Sequence, residues 1–353
     1  MKTRQGIVRK YRQFMPEIKD EHIITLGEGN TPLVFAPRIA KEIGFNGKLH
    51  LKYEGANPTG SFKDRGMTVA VSKAVEDGAE MLVCASTGNT AASAAAYGAL
   101  AGLPVAVFVP AGGIAAGKLT QILAYGATLV QIKSNFDACQ NIVRKLVEKY
   151  PKIALLNSIN PYRLEGQKTA AFEILEQLCM VPNYHFIPVG NAGNITAYWM
   201  GYKEYYALNQ PKMMGYQAEG AAPIVRGHII ENPQTIASAI KIGNPARWKD
   251  ALKAVSESAG KFDMVSDEEI ERFHRLIPKL YPHVGCEPAS AASVAGLAKA
   301  VKLGEIENNQ DTVVVCTLTG AMWKDPDAFK RGYKRMARAI NADLSAVERF
   351  LNL

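Results

Sequence analysis

From about residue 48 onward, short runs of aliphatic and β-branched residues alternate with longer stretches in which apolar residues recur at helical spacing. The runs KLHLKYE, MLVCAS, PVAVFVP, TLVQIK, IALLN, HFIPVG and TVVVCTL are mostly apolar throughout, as strands covered on both faces are. In the first of them the alternation puts Leu49, Leu51 and Tyr53 on one face. Between the runs lie AASAAAYGALAG, NFDACQNIVRKLVEKY, KTAAFEILEQL and ITAYWMGYKEYYAL, which read as helices. This β-α-β-α order predicts an α/β protein with parallel-rich open sheets covered by helices. The terminal stretch FKRGYKRMARAINADLSAVERFLNL carries spaced apolar residues and reads as helix, packing on the body of the protein or on a dimer partner.

A chain of 353 residues, 48% of them hydrophobic, can bury a large core and suggests two domains or one large α/β unit. No repeat or low-complexity linker marks a boundary. The 41 Lys and Arg against 33 Asp and Glu leave an excess of eight. That excess favours anionic ligands, but it gathers in no basic run of the kind that binds nucleic acid. Cys84, Cys139, Cys179, Cys286 and Cys316 include no C-x-x-C pair, so buried thiols in a reducing cytosol are expected rather than a disulfide framework or a metal site. The N-terminus lacks a continuous apolar segment, and nowhere do about twenty uninterrupted apolar residues occur. A cytoplasmic protein with no membrane association is expected.

Functional loops should lie at the C-terminal ends of the strands, where doubly wound sheets bind ligands. Four Gly- and Asn-bearing turns directly follow predicted strands: NPTGS, STGNT, GNAGN and LTGAMWKD. Any one of them could serve backbone geometry alone; four together suggest a single ligand site at one sheet edge. GNAGN runs straight into a predicted helix, so its backbone N–H groups and the helix dipole converge on a place suited to phosphate. It lacks the G-x-G-x-x-G spacing of dinucleotide folds. GGIAAGKL matches the P-loop spacing at Gly112, Gly117 and Lys118, but Leu119 stands where a magnesium-binding Ser or Thr is required, so it reads as a loop and helix start.

Lys63 stands in the first turn of a predicted helix, behind NPTGS, with Ser61 as the expected N-cap and Asp64 completing a capping box. A cation there loses a few tenths of a kcal/mol to the helix dipole, and the same field favours the neutral amine. A neutral amine is a nucleophile for carbonyls. A solvated surface site is the ordinary fate of a lone lysine, but Phe62 beside it and the turn before it argue for a pocket.

LGEGNTPLV, NPTGSFKDRG, STGNT, NSINPYRLEGQKT, GNAGNITAYW, GNPARW, EPASAASVAGL and the later LTG with KDPD together resemble threonine synthase, a family of the fold type II, tryptophan synthase beta-like pyridoxal-phosphate enzymes. The resemblance covers about residues 20 to 330. It implies that Lys63 holds pyridoxal 5'-phosphate as a Schiff base, that Asn89 contacts the cofactor's 3-oxygen, and that Gly190, Asn191, Ala192, Gly193 and Asn194 hold its phosphate. Thr319 would face the pyridine nitrogen, where a neutral hydroxyl makes the ring a weaker electron sink than an Asp would. Ser86 and Thr87 would bind the substrate's α-carboxylate. Thr90, Asn157, Ser158 and Arg163, helped by Asn191, would bind its phosphate.

The implied reaction turns O-phospho-L-homoserine and water into L-threonine and phosphate, by γ-elimination followed by addition of water at Cβ. Lys63 would carry protons at Cα, Cβ and Cγ. By the same resemblance residues 58–159 form a smaller mobile domain, residues 1–57 and 160–353 the larger one, with the cofactor between them, and a homodimer is the expected assembly. Ala321, Met322 and Trp323 stand where the family usually carries His-Gly-Leu, next to the pyridine contact, so the cofactor's back wall or the substrate side is expected to differ there. Trp323 could equally be a core aromatic. Related enzymes acting on other amino acids, a cysteate synthase or a threonine/serine dehydratase, are the alternative; a binding protein that has lost catalysis is opposed by the retained Lys63.

Overall fold

The computed structural model describes residues 5–111, 116–206, 209–328, 342 and 344–351. The seven predicted strands all form: β2 (Lys48–Tyr53), β3 (Met81–Ala85), β4 (Val105–Pro110), β5 (Thr128–Ile132), β6 (Ile153–Leu155), β7 (Tyr184–Pro188) and β10 (Val313–Leu318). Three more were not read from the pattern: β1 (Leu33–Phe35), β8 (Lys212–Ala218) and β9 (Lys261–Val265). They build two sheets, one ordered β1-β2-β10-β7-β8-β9 and one ordered β5-β4-β3-β6. Every pairing is parallel except β1 with β2, which is antiparallel from Leu33 opposite Lys52 to Phe35 opposite His50.

Both sheets are covered on both faces, which is why their strands read as continuous apolar runs. In the larger sheet, alternate residues of β10 point opposite ways. Val314 and Cys316 pack with Ala291, Val294 and Leu297 of the helix Pro288–Leu303, while Val315 packs with Ile174, Ile195 and Tyr198 of the helices Thr169–Leu178 and Gly193–Tyr205. In the smaller sheet Leu82 and Cys84 face the helices Lys63–Glu76 and Asn89–Leu100, and Val83 and Ala85 face Phe136–Lys149. The whole smaller sheet lies within residues 81–155, inside the segment expected to form the smaller domain. Of the cysteines, four are buried, but Cys179 is exposed, at the left-handed C-cap of Thr169–Leu178. Of the terminal helical stretch, Leu344–Leu351 is helical; residues 329–341 fall outside the described residues.

β2 departs from the simple alternation at Lys52, which is fully buried. Its amine lies 2.8 Å from Glu173 Oε2, and Arg65 reaches the same oxygen at 2.6 Å and Glu54 at 2.7 Å. Glu173 also accepts from the backbone of Asn30 at 2.7 Å and Thr31 at 3.2 Å. One buried cluster thus ties the 26–34 loop, β2 and two helices together behind the Lys63 turn. Burial alone would raise the Glu173 carboxyl, but Arg65 and Lys52 outweigh it and hold it far below the usual carboxylate range.

Removing one member leaves buried charge uncompensated, so Glu173→Ala is expected to destabilise the fold by about 3–5 kcal/mol. Because the folded pKa is depressed, this contribution is complete above about pH 4.3, the unfolded value, and is lost as pH falls from there toward the folded value. Urea unfolding should therefore show a wide gap between wild type and Glu173→Ala at pH 7 that narrows at pH 3. A gap unchanged by pH would refute the charged role.

Candidate active site

The C-terminal ends of β2, β7 and β10 in one sheet and of β3 in the other converge on a cavity of about 200 Å³. Three of the four turns, STGNT, GNAGN and LTGAMWKD, therefore do meet, but across two sheets rather than at one edge, and the site lies between them. NPTGS itself is scaffolding. Asn57 accepts from Gly29 N at 3.0 Å and donates to Glu54, and only Phe62 and Lys63 behind it line the cavity.

Lys63 opens the helix Lys63–Glu76, but the expected capping box is absent. Phe62 is the N-cap, and Ser61 Oγ has no hydrogen-bond partner among the described residues. Asp64 turns back instead, accepting from the Thr59 N–H and Oγ1, both at 2.6 Å, and from Ser93 Oγ at 2.6 Å. The turn is stitched to the segment after β10 by Phe62 N donating to Thr319 O at 3.0 Å and Ala321 N donating to Gly60 O at 2.8 Å. Backbone bonds thus fix the start of the lysine's helix against Thr319.

A close helix crossing places the arginine. A Cβ on Gly166 would come within 1.8 Å of Arg65 O, and one on Gly66 within 2.6 Å of Arg163 O. Only glycine lets the helices Lys63–Glu76 and Pro161–Gln167 touch there, which brings Arg163 to Lys63's side of the cavity. Arg163 is 1% exposed and donates to Leu156 O at 3.2 Å, while its Nε has no partner. Among the described residues no carboxylate pairs with it. Burial, and the nearby Arg163 guanidinium, pull the Lys63 amine down to about 7 against the attraction of Glu287. Burial likewise lowers Arg163 to about 10.

The 190–194 loop leads into the helix Gly193–Tyr205 through Ala192, which sits in the left-handed region at φ 64°. A Cβ on Gly190 would approach Ile240 Cα to 3.0 Å and Ala239 O to 3.3 Å. Asn194 is buried with both amide atoms unpartnered among the described residues. Asn191 is anchored by Ala246 N at 3.4 Å and Arg247 N at 3.3 Å, which gives GNPARW a structural place. Across the cavity, Asn89 opens the helix Asn89–Leu100 and Ser86 Oγ accepts from Gly88 N at 3.2 Å. Asn157 clasps the peptide of Ala85, accepting from its N–H and donating to its carbonyl, both at 2.9 Å.

Lys63, Ser86, Thr87, Asn89, Thr90, Asn157, Ser158, Arg163, residues 190–194 and Thr319 all line this one cavity. Ala321, Met322 and Trp323 do not. Ala321 is buried behind it, Met322 lies against Gly285, and Trp323, 48% exposed, covers Gly60 from outside. All three positions thus lie off the cavity, and Trp323, on the outer side of the turn, is no core aromatic. Among the lining residues not singled out from sequence are Glu287, 3% exposed, and Lys324, whose amine donates to Thr59 O at 3.1 Å. A lone acid leading a run of Ala and Ser was the available signal for Glu287.

A family model described as pyridoxal-phosphate dependent enzyme matches residues 24–320. The chain is 54% identical over 326 residues to the threonine synthase of Halalkalibacterium halodurans, covering 92% of this chain and 90% of that one. It is 51% identical over 348 residues to that of Synechocystis, covering 97% and 90%. The chain belongs to the threonine synthase family of pyridoxal-phosphate dependent enzymes. The fold is shared more widely: maize serine racemase superposes with a TM-score of 0.76 at 20% identity over 94% of this chain and 98% of that one. Tomato threonine deaminase gives 0.74 at 21% identity over 92% of each.

The residues present fit the cofactor this family uses. The cavity offers an amine that no carboxylate among the described residues pairs with, held near neutrality. It also offers a glycine-lined loop of N–H groups at a helix N-terminus and an unpartnered buried amide at Asn194. Those are the donors that an aldehyde bearing a phosphate requires. Among the described residues no helix is long and apolar enough to cross a membrane.

Proposed function

We propose that this chain converts O-phospho-L-homoserine and water to L-threonine and phosphate, using Lys63 as its acid and base. When bound, pyridoxal phosphate supplies a carbonyl for the substrate's amine and a ring that withdraws electrons from the substrate's Cα. Lys63 holds the cofactor, and once freed its amine, near half-protonated at neutral pH, can take the protons that leave Cα and Cβ and return protons at Cγ and, after water has added at Cβ, at Cα. The 190–194 loop and the helix dipole behind it receive the cofactor's phosphate, while Asn89 and Thr319 meet its ring.

Ser86, Thr87 and nearby backbone bind the substrate's α-carboxylate. Arg163 binds its phosphate, with Thr90, Ser158 and Asn191; the Asn157 amide, largely used on Ala85, contributes its one remaining N–H. A guanidinium stays charged and contacts a phosphate through two parallel bonds, which suits a leaving group that gains negative charge. Residues 58–159 act as the smaller domain, closing to exclude water until elimination is complete. We place the enzyme in the cytoplasm as a homodimer.

The observation that carries this reading is a buried arginine with an unpartnered Nε in the same cavity as a near-neutral lysine. A buried guanidinium without a carboxylate calls for an anionic ligand. The test is phosphate release from a panel of phosphorylated amino acids, with the amino-acid product identified. Threonine from phosphohomoserine is expected as the fastest reaction. Faster conversion of threonine to 2-oxobutyrate would replace this reading with a dehydratase, and sulfonated product with a cysteate synthase.

A further inference from the structure

Glu287 is a buried carboxylate lining the cavity, and the proposed reaction gives it no task. It leads the helix Pro288–Leu303, and its backbone N–H donates to Gly320 O at 3.0 Å, which fixes it against the turn after β10. Its two oxygens accept from one atom, the Asn89 amide nitrogen, at 3.0 and 3.1 Å. Thr319 Oγ1 donates to Oε1 at a longer 3.4 Å, and Ser290 Oγ, 3.0 Å from that hydroxyl, shares it. A Cβ on Gly320 would meet Glu287 Oε1 at 2.6 Å, so glycine at 320 leaves the carboxylate its place against the turn.

We propose that Glu287 is a positioning residue for the cofactor, fixing through Asn89 which way that side-chain amide faces the ring. An asparagine amide carries two N–H donors and one acceptor, and its two ends exchange on a half-turn. A carboxylate only accepts, so it captures the nitrogen end and forbids the flipped orientation. One N–H is then held by Glu287, and the other remains for the cavity that Asn89 lines. A neutral partner able to donate as well as accept would leave both orientations open. Burial pushes the Glu287 carboxyl up, an opposition that the Asn89 bond and the neighbouring Lys324 and Lys63 partly offset.

The proposal rests on Asn89 facing the cofactor, and its test separates the two. The dissociation constant of pyridoxal 5'-phosphate is measured by fluorescence on serial dilution of holoenzyme for wild type, Glu287→Gln, Asn89→Ala and the double variant, with the visible absorption band recorded for each. Each single change is expected to weaken binding about tenfold, the scale of a hydrogen bond to a charged group. The double variant is expected to be no weaker than the worse single, because both act through one bond. Both singles should move the absorption band alike, and Glu287→Asp, a shorter carboxylate that carries the test if the glutamine variant does not fold, should lie between. If Asn89→Ala changes neither constant nor band, the placement of Asn89 fails. If Asn89→Ala weakens binding while Glu287→Gln does not, or the two effects multiply, the positioning role is overturned.

Discussion

Lys63→Ala is expected to lower phosphate release from phosphohomoserine by about 10⁴-fold or more, the scale on which removing a residue that acts at several steps abolishes turnover. The same side chain is assigned to hold the cofactor and to move every proton, so no neighbour replaces it. Lys324 is the other lysine lining the cavity, but it is committed to Thr59 and Gln121. The fold should survive, because the lysine's amine has no carboxylate partner among the described residues and burial already opposes its charge. Thermal unfolding of the variant should match or exceed that of the cofactor-free wild type, and its visible absorbance should vanish. Turnover above about 1% of wild type would remove Lys63 from the chemistry, since a loss that small is within reach of a positioning role.

Arg163→Ala is expected to reduce kcat/KM for phosphohomoserine by about 10² to 10³-fold, as truncating one partner of a buried charge pair does. The visible absorbance of the cofactor should persist, since Arg163's hydrogen bond goes to Leu156 O and not to the 190–194 loop. Arg163→Lys should recover little, because a point charge cannot reproduce two parallel bonds to phosphate. A second effect follows from electrostatics: without the guanidinium, the Lys63 amine should titrate higher, since Arg163 helps to lower it. Loss of the cofactor's absorbance together with activity would make the arginine a structural element rather than a substrate contact.

Much of this was legible because the physics of the strands and turns is local. Strands buried on both faces announce themselves as apolar runs, and all seven so read are present. The three missed have reasons. β1 is three residues long, β9 is an edge strand with charged residues in its pattern, and β8 carries Gly215 against Phe262, where a side chain would not fit. Lys52 broke the alternation because its charge is matched by Glu173, 121 positions away, a pairing no local pattern contains. The capping box failed for a similar reason: Asp64 has better partners in Thr59 and Ser93 than in the helix's own first turn.

The candidate site divides along the same line. Its members could be named from turns and from resemblance, and all of them line one cavity. What could not be read was the scaffold that places them: the glycine crossing that brings Arg163 near Lys63, the Asn157 clasp on Ala85, and Glu287 behind Asn89. Each is a contact between segments far apart in sequence, and each acts on a residue rather than on a ligand. Trp323 illustrates the converse, a residue next to the site in sequence that the turn carries to the outside.

The most direct test of the account is reduction of the cofactor-loaded enzyme with borohydride, followed by proteolysis and mass measurement of the peptides. A pyridoxyl group on the peptide containing Lys63, and on that lysine alone, is the predicted result. A pyridoxyl group on Lys324 or another lysine, or none on any peptide, would contradict it.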